Sequence, residues 1–222
     1  MYYVIYDLEF TVSRNTRYSS EIIDIGAVKL TQENGVLVTV DTFQTFVRPS
    51  NRSVLSSDTV QFTGITQKDI DAAPLFPHAA VLFREWLAAD APYYLCAWGP
   101  DDRSKLLSHC RTHEVDASWI CNTNDLQQQL SRSLSSEGTY RQIGLKQALE
   151  LCGIEFDGRQ HLALDDALNT AEVFKHYFDR FELERNEAEL ETGGSSLVYS
   201  SDDAEDDSSN PFGSLANLFK KD

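Results

Sequence analysis

The stretch VIYDLEFT, residues 4–11, bears on both the fold and the chemistry. Tyr2 to Tyr6 is an unbroken apolar and aromatic run, which predicts a strand over 2–9 that is buried on both faces, and therefore a central one. Asp7 and Glu9 fall where that strand ends. Residues two apart on a strand share a face, so the two carboxylates stand side by side at the carboxyl end of a central strand, where α/β sheets place their ligands. Like charges this close repel unless a cation lies between them. Taken alone, the pair reads equally well as a strand running out into solvent.

Further strands are expected at 22–30, 36–48 and 93–98, with a shorter one near 118–121. Helical spacing appears over 75–89, 102–112 and 144–152. It recurs over 163–182, where Leu164, Leu168, Ala171, Phe174, Phe178 and Phe181 recur at steps of three and four. Strands first and helices later imply an α/β fold, a mixed sheet covered by helices. The pattern fails from about Arg185. We therefore expect a domain over 1–184 and an acidic, disordered tail over 185–222. Within that tail NPFGSLANLFKK, residues 210–221, restores helical spacing through Phe212, Leu215, Leu218 and Phe219, a candidate protein-binding motif.

Composition narrows the classes. No run approaches the ~18 apolar residues of a membrane span, and MYYVIYDLEF lacks a basic, cleavable leader, so a cytoplasmic location is expected. The four cysteines, at 96, 110, 121 and 152, never form a CxxC pair and read as reduced core residues. A formal net charge of −16 argues at first against a nucleic-acid partner. Half of it, however, lies in residues 182–222, which hold 11 acidic and 3 basic residues. Bound divalent cations would also invert the field at an acidic site.

Two more segments carry acids at the ends of expected elements. In LCAWGPDDRSKLL, residues 95–107, Gly99 and Pro100 turn the chain and Asp101 and Asp102 open a helix whose buried side includes Leu106 and Leu107. Acids in a first turn also serve the helix dipole. In GRQHLALDDALNTAEVF, residues 158–174, His161 precedes a helix with Asp165 and Asp166 in its first turn, Asp166 able to face the sheet while Leu164 and Leu168 pack inward. Three element ends with acids and one histidine suit two-metal hydrolysis of a phosphodiester. Two hard cations ~3.5–4 Å apart, held by oxygen ligands, favour in-line displacement, and a neutral imidazole accepts the water's proton near pH 7. His109 and His113 have the spacing of a helical metal pair but no third ligand. Arg103, Lys105, Arg141, Lys146 and Arg159 flank these segments as candidate phosphate contacts.

DLEF at 7–10, EIIDIGAVKL at 21–30, FTGIT at 62–66, WGPDD at 98–102 and HLALDDALNTA at 161–171 resemble, in order, the DEDD exonucleases of the histidine-containing subtype, with an ERI and KapD flavour. The resemblance covers about residues 1–182 and implies a ribonuclease H-like fold, a five-stranded mixed sheet flanked by helices whose first three strands are antiparallel. It implies that Asp7, Glu9, Asp102 and Asp166 hold two Mg2+ or Mn2+ ions and that His161 is the general base. It also selects Asp102 over Asp101 and Asp166 over Asp165. The implied reaction releases nucleoside 5'-monophosphates from 3' ends of single-stranded nucleic acid, with RNA favoured over DNA. Phe10, Phe62 and Trp98 are candidate stacking groups for the terminal nucleotides. Two rivals share these residues: a DNA exonuclease of repair or proofreading recruited through the tail, and a module that binds nucleic acid or protein without cleaving.

Overall fold

The computed structural model describes residues 1–12, 20–87, 91–135 and 141–187. The chain divides into one unit from Met1 to Ala188 and another from Glu189 to Asp222. The second unit, and with it the expected tail motif at 210–221, lies outside the described residues.

Five strands form one sheet: β1 (Tyr2–Phe10), β2 (Ile22–Glu33), β3 (Val36–Phe46), β4 (Tyr93–Ala97) and β5 (Thr123–Asp125). Their order is β3-β2-β1-β4-β5. The β1–β2 and β2–β3 pairs are antiparallel, and β4 runs parallel to both β1 and β5. Seven helices occur among the described residues: α1 (Ser57–Thr63), α2 (Gln67–Asp71), α3 (Phe76–Leu87), α4 (Asp101–Thr112), α5 (Leu126–Ser133), α6 (Leu145–Cys152) and α7 (Ala163–His176). None of the helices there is long and apolar enough to cross a membrane.

The two faces of the central strands explain the layering. Val4, Tyr6 and Leu8 of β1, with Ile25 and Ala27 of β2, pack with Phe76, Ala80 and Phe83 of α3 and Leu106 and Cys110 of α4. On the opposite face Ile5, Val28 and Leu30 pack with Ala167, Ala171 and Phe174 of α7. Each fully buried large side chain contributes roughly 1.5–3 kcal/mol. Along that second face β1 passes from Tyr3 and Ile5 to Asp7 and Glu9, while β2 passes from Leu30 and Val28 to Gly26 and Asp24, their register partners. The same surface is thus apolar under the body of α7 and acidic at its start.

Three expectations change. Residues 118–121 do not form a strand: Trp119 and Ile120 are buried in the core, and the strand lies two residues further on, in the polar triplet Thr123–Asp125. Leu168 of α7 is 36% exposed, and Ala163, Ala167 and Thr170 take the inward positions. The long helical pattern over 163–182 breaks at Tyr177, beyond which Phe178–Arg180 forms a 3-10 turn. Helices α1, α2 and α5 are not expected from the sequence: α1 and α2 span only seven and five residues, and the eight residues of α5 include only Leu126 and Leu130 as apolar positions. Their starts are fixed by Ser56, whose Oγ accepts from the Thr59 amide, by the Thr66–Asp69 capping box, and by Asp125, which accepts from the Gln128 amide.

Residues 184–186 run along the outer edge of β5. The Asn122 amide donates to the Asn186 carbonyl at 2.7 Å, the Thr123 amide to Asn186 Oδ1 at 2.9 Å, and the Glu184 amide to Asn124 Oδ1 at 2.8 Å. A short strand is thereby covered at its open edge.

Candidate active site

The carboxyl ends of β1 and β4 lie side by side because the two strands pair in parallel. Asp7 and Glu9 come from β1, and Asp102 from the first turn of α4, which the Gly99 turn (φ 108°) brings back over the sheet end. Asp102 is 8% exposed while its neighbour Asp101 is exposed. The Leu8 amide donates to the Asp102 carboxylate, tying α4 to β1.

The third contribution comes from α7. Gly26 of β2 lies under its first residues, and a Cβ there would run into the backbone of Ala163 and Leu164, so only glycine permits this approach. Asp166 points to the sheet end, and its Oδ2 accepts the His161 amide at 2.8 Å. Asp165 turns the other way and accepts the Arg159 amide at 2.8 Å. Ligand atoms of Glu9, His161 and Asp166 all lie within 4.8 Å of one another.

Electrostatics draws Asp7 and Asp102 into the same group. Burial raises Asp7 well above the usual carboxylate range, and the charges of Asp102, Glu9 and Asp166 raise it further. Glu9 is raised by burial and then by Asp166 and Asp102, and Asp102 by burial and then by Asp101. Asp166 is pushed up to about 7 by burial, against the His161 amide bond. None of the four forms an ion pair with another described residue. Crowded, half-dry carboxylates with no cation beside them are a hard-oxygen donor set, and the residues present therefore fit divalent cations. His161 is shifted in the opposite direction: burial holds its pKa below the ordinary imidazole value, so the ring is neutral near pH 7.

The three aromatic candidates sit differently. Phe62, at the end of α1, stacks on the His161 ring with centroids 4.1 Å apart. Trp98 bridges the second core cluster and the one around Leu130 and Leu149, and its Nε1 is buried without a partner. Phe10 packs at the margin of the first cluster. Of the basic candidates, Arg159 lies against Gly64, where any Cβ would collide with its guanidinium, and Lys105 Nζ donates to Ser20 Oγ at 3.2 Å. His109 is not available as a ligand. Its Nε2 accepts the Ile22 amide at 3.1 Å and its Nδ1 meets the Lys105 carbonyl at 2.9 Å.

Sequence reasoning missed Asp24, a fully buried carboxylate opposite Glu9 in the β1–β2 register. Burial pushes it up to about 7. The available signal was one acid interrupting the apolar run IIDIGAV.

The profile of the RNase T family, described as exonuclease, matches residues 4–174. The mouse 3'-5' exoribonuclease 1 is 31% identical over 219 residues, covering 90% of this chain and 59% of that protein. The probable 3'-5' exonuclease KapD of Bacillus subtilis is 29% identical, over 78% of this chain and 82% of its own length. A solved nuclease domain of 3'hExo, a DEDDh family member bound to rAMP, superposes with a TM-score of 0.70 at 29% identity, over 83% of this chain and 96% of that one. The chain spans between 27% and 59% of the length of the curated animal relatives it matches.

Proposed function

Because the chain belongs to the RNase T exonuclease family, we propose that it is a divalent-metal-dependent exonuclease acting on 3' ends of single-stranded nucleic acid, RNA ahead of DNA, and releasing nucleoside 5'-monophosphates. The observation that carries this reading is the convergence of ligand atoms of Glu9, His161 and Asp166 within 4.8 Å of one another, with Asp7 on the same strand as Glu9 and the buried Asp102 at the end of the parallel neighbour. Asp7, Glu9, Asp102 and Asp166 would hold two Mg2+ or Mn2+ ions. Bound there, such ions supply charge neutralisation at the phosphate and a more acidic water.

The chain's own residues do the rest. His161 takes the proton of the attacking water, a role that needs the ring neutral. A new P–O bond forms from the water oxygen and the P–O3' bond opposite it breaks, leaving the 3'-oxygen on the shortened strand and the 5'-phosphate on the released nucleotide. Asp166, bonded to the His161 amide, fixes where the imidazole stands. Phe62, stacked on His161, borders the site and would pack against a terminal nucleotide, whereas Trp98 and Phe10 are engaged in core clusters. RNA is placed first because a relative's nuclease domain was solved with rAMP and another is named an exoribonuclease.

The test uses matched RNA and DNA oligomers labelled at the 5' end, each with Mn2+ or with EDTA. The expected result is a metal-dependent ladder shortening from the 3' end, faster on RNA, and absent with Asp7→Ala. Cleavage by Asp7→Ala at the wild-type rate would remove the site assignment, and metal-independent cleavage would remove the chemistry.

A further inference from the structure

Helix α7 begins without a cap of its own. Its N-cap residue is Leu162, whose side chain accepts no hydrogen bond, although this position ordinarily carries Ser, Thr, Asp or Asn. Leu162 is committed to the core instead, packed against the cluster of Ile23, Leu55, Ile65 and Ile70. The first amide of the helix, Ala163, donates at 3.2 Å to Oδ2 of Asp24, a residue 139 positions earlier in β2. Gln44 of β3 holds that carboxylate from the other side, its Nε2 donating at 3.1 Å and 3.4 Å to the two oxygens.

This is an expensive way to cap a helix. Burying a carboxylate is unfavourable, and Asp24 stands opposite Glu9, adding like charge to a group already crowded with it. A serine at 162 would cap α7 without adding a fully buried acid beside Glu9 and Asp102. What Asp24 adds is a rigid connection from the helix start to the sheet beneath. Ala163 lies two residues after His161 and three before Asp166, and the His161–Asp166 bond closes the loop around it. Asp24 itself sits two residues along β2 from Gly26, over which the helix start rests.

We propose that Asp24, braced by Gln44, is a positioning residue of the nuclease site: it caps α7 from the neighbouring strand and so sets the height and rotation at which Asp166 and His161 meet Glu9. The inference rests on the exonuclease reading, and its test has one arm that does not.

In the full chain, Asp24→Asn keeps an acceptor for the Ala163 amide and, with the Gln44 amide reversed, a partner for its own NH2. Asp24→Ala keeps neither. Since misplacement by ~1 Å can cost about a hundredfold, the Ala variant is expected to lose at least roughly tenfold in kcat for Mn2+-dependent shortening of an oligomer. KM stays within about twofold, and the Asn variant recovers to within about threefold of wild type. Independently of activity, amide hydrogen exchange over 161–166 should accelerate in the Ala variant and not in the Asn variant. Wild-type kcat in Asp24→Ala overturns the proposal, as does an Asn variant as impaired as Ala, or unchanged exchange in both. If the Ala variant does not fold, Gln44→Ala leaves Asp24 in place but unbraced. It should show the same two signatures at smaller size, and wild-type values in both would again overturn the proposal. An inactive wild-type protein would remove the exonuclease reading and leave the exchange comparison to judge the cap.

Discussion

The amide of His161 donates to the Asp166 carboxylate at 2.8 Å while His161 itself holds φ at 65°. The residue carrying the imidazole is therefore bent into the left-handed region, which costs a non-glycine residue about 1–2 kcal/mol.

Glycine relieves that strain. His161→Gly should be more stable than His161→Ala by about 1 kcal/mol in denaturant unfolding, although both lose most turnover because both lose the ring. Equal stability of the two variants would mean that the backbone relaxes once the Phe62–His161 stack is gone.

The acidic group makes the metal-free protein pH-sensitive in a defined direction. Asp166 is raised from 3.8 to about 7, so between those values the folded state keeps a proton that the unfolded state releases. Stability then falls as pH rises through that window. Asp7, Glu9 and Asp102 are raised as well and act in the same sense. Asp166→Asn should accordingly stabilise the metal-free protein at pH 8, by an amount on the order of a few kcal/mol, and leave it little changed at pH 4. Thermal melts at the two pH values in EDTA decide this. A destabilised Asn variant at pH 8 would mean that the carboxylate is held ionised by something other than a cation.

Protons and cations compete for the same oxygens. With limiting Mn2+ the acid limb of activity should lie near the carboxylate values, near 7 for Asp166, and move to lower pH as Mn2+ is raised. The limb due to His161 lies below the ordinary imidazole range, and a cation held by Glu9 and Asp166, whose ligand atoms lie within 4.8 Å of the imidazole's, lowers it further. A profile insensitive to metal concentration would separate the titrating groups from the metal site.

Gly26→Ala places a methyl group against the backbone of Ala163 and Leu164. Backbone has no rotamer to give way, so the start of α7 must lift. The variant should lose at least the roughly 1–3 kcal/mol typical of overpacking, and its turnover should fall more than its folded fraction. Unchanged melting and unchanged rate would mean that α7 tolerates sliding at its start.

Much of this was legible because the informative residues are local. Tyr2 to Tyr6 is apolar on both faces and became the central strand, and Asp7 and Glu9 sit at its end by the simple alternation of a strand. Burial separates Asp102 from Asp101, which the sequence presents as equal neighbours. The expected strand at 118–121 failed because Trp119 and Ile120 reveal burial, not conformation. The true strand, Thr123–Asp125, has no apolar side chain and is held by β4 and residues 184–186. Asp24 was illegible for a different reason: its role depends on an amide 139 residues away, a relation that no periodicity encodes.

The order of the chain gives the site a history. Asp7, Glu9 and Asp102 are synthesised and can be folded into the sheet well before Ala163–His176 exists. A growing chain at that stage holds three of the four carboxylates and no His161, and Ile5, Val28 and Leu30 on the second face of the sheet still lack Ala167, Ala171 and Phe174. The element that packs on that face is also the one that brings Asp166 to the proposed site, just after His161. On the proposed function, competence to cut is thus expected to arrive together with the packing of α7, so that a half-made chain beside its own messenger is an unarmed one.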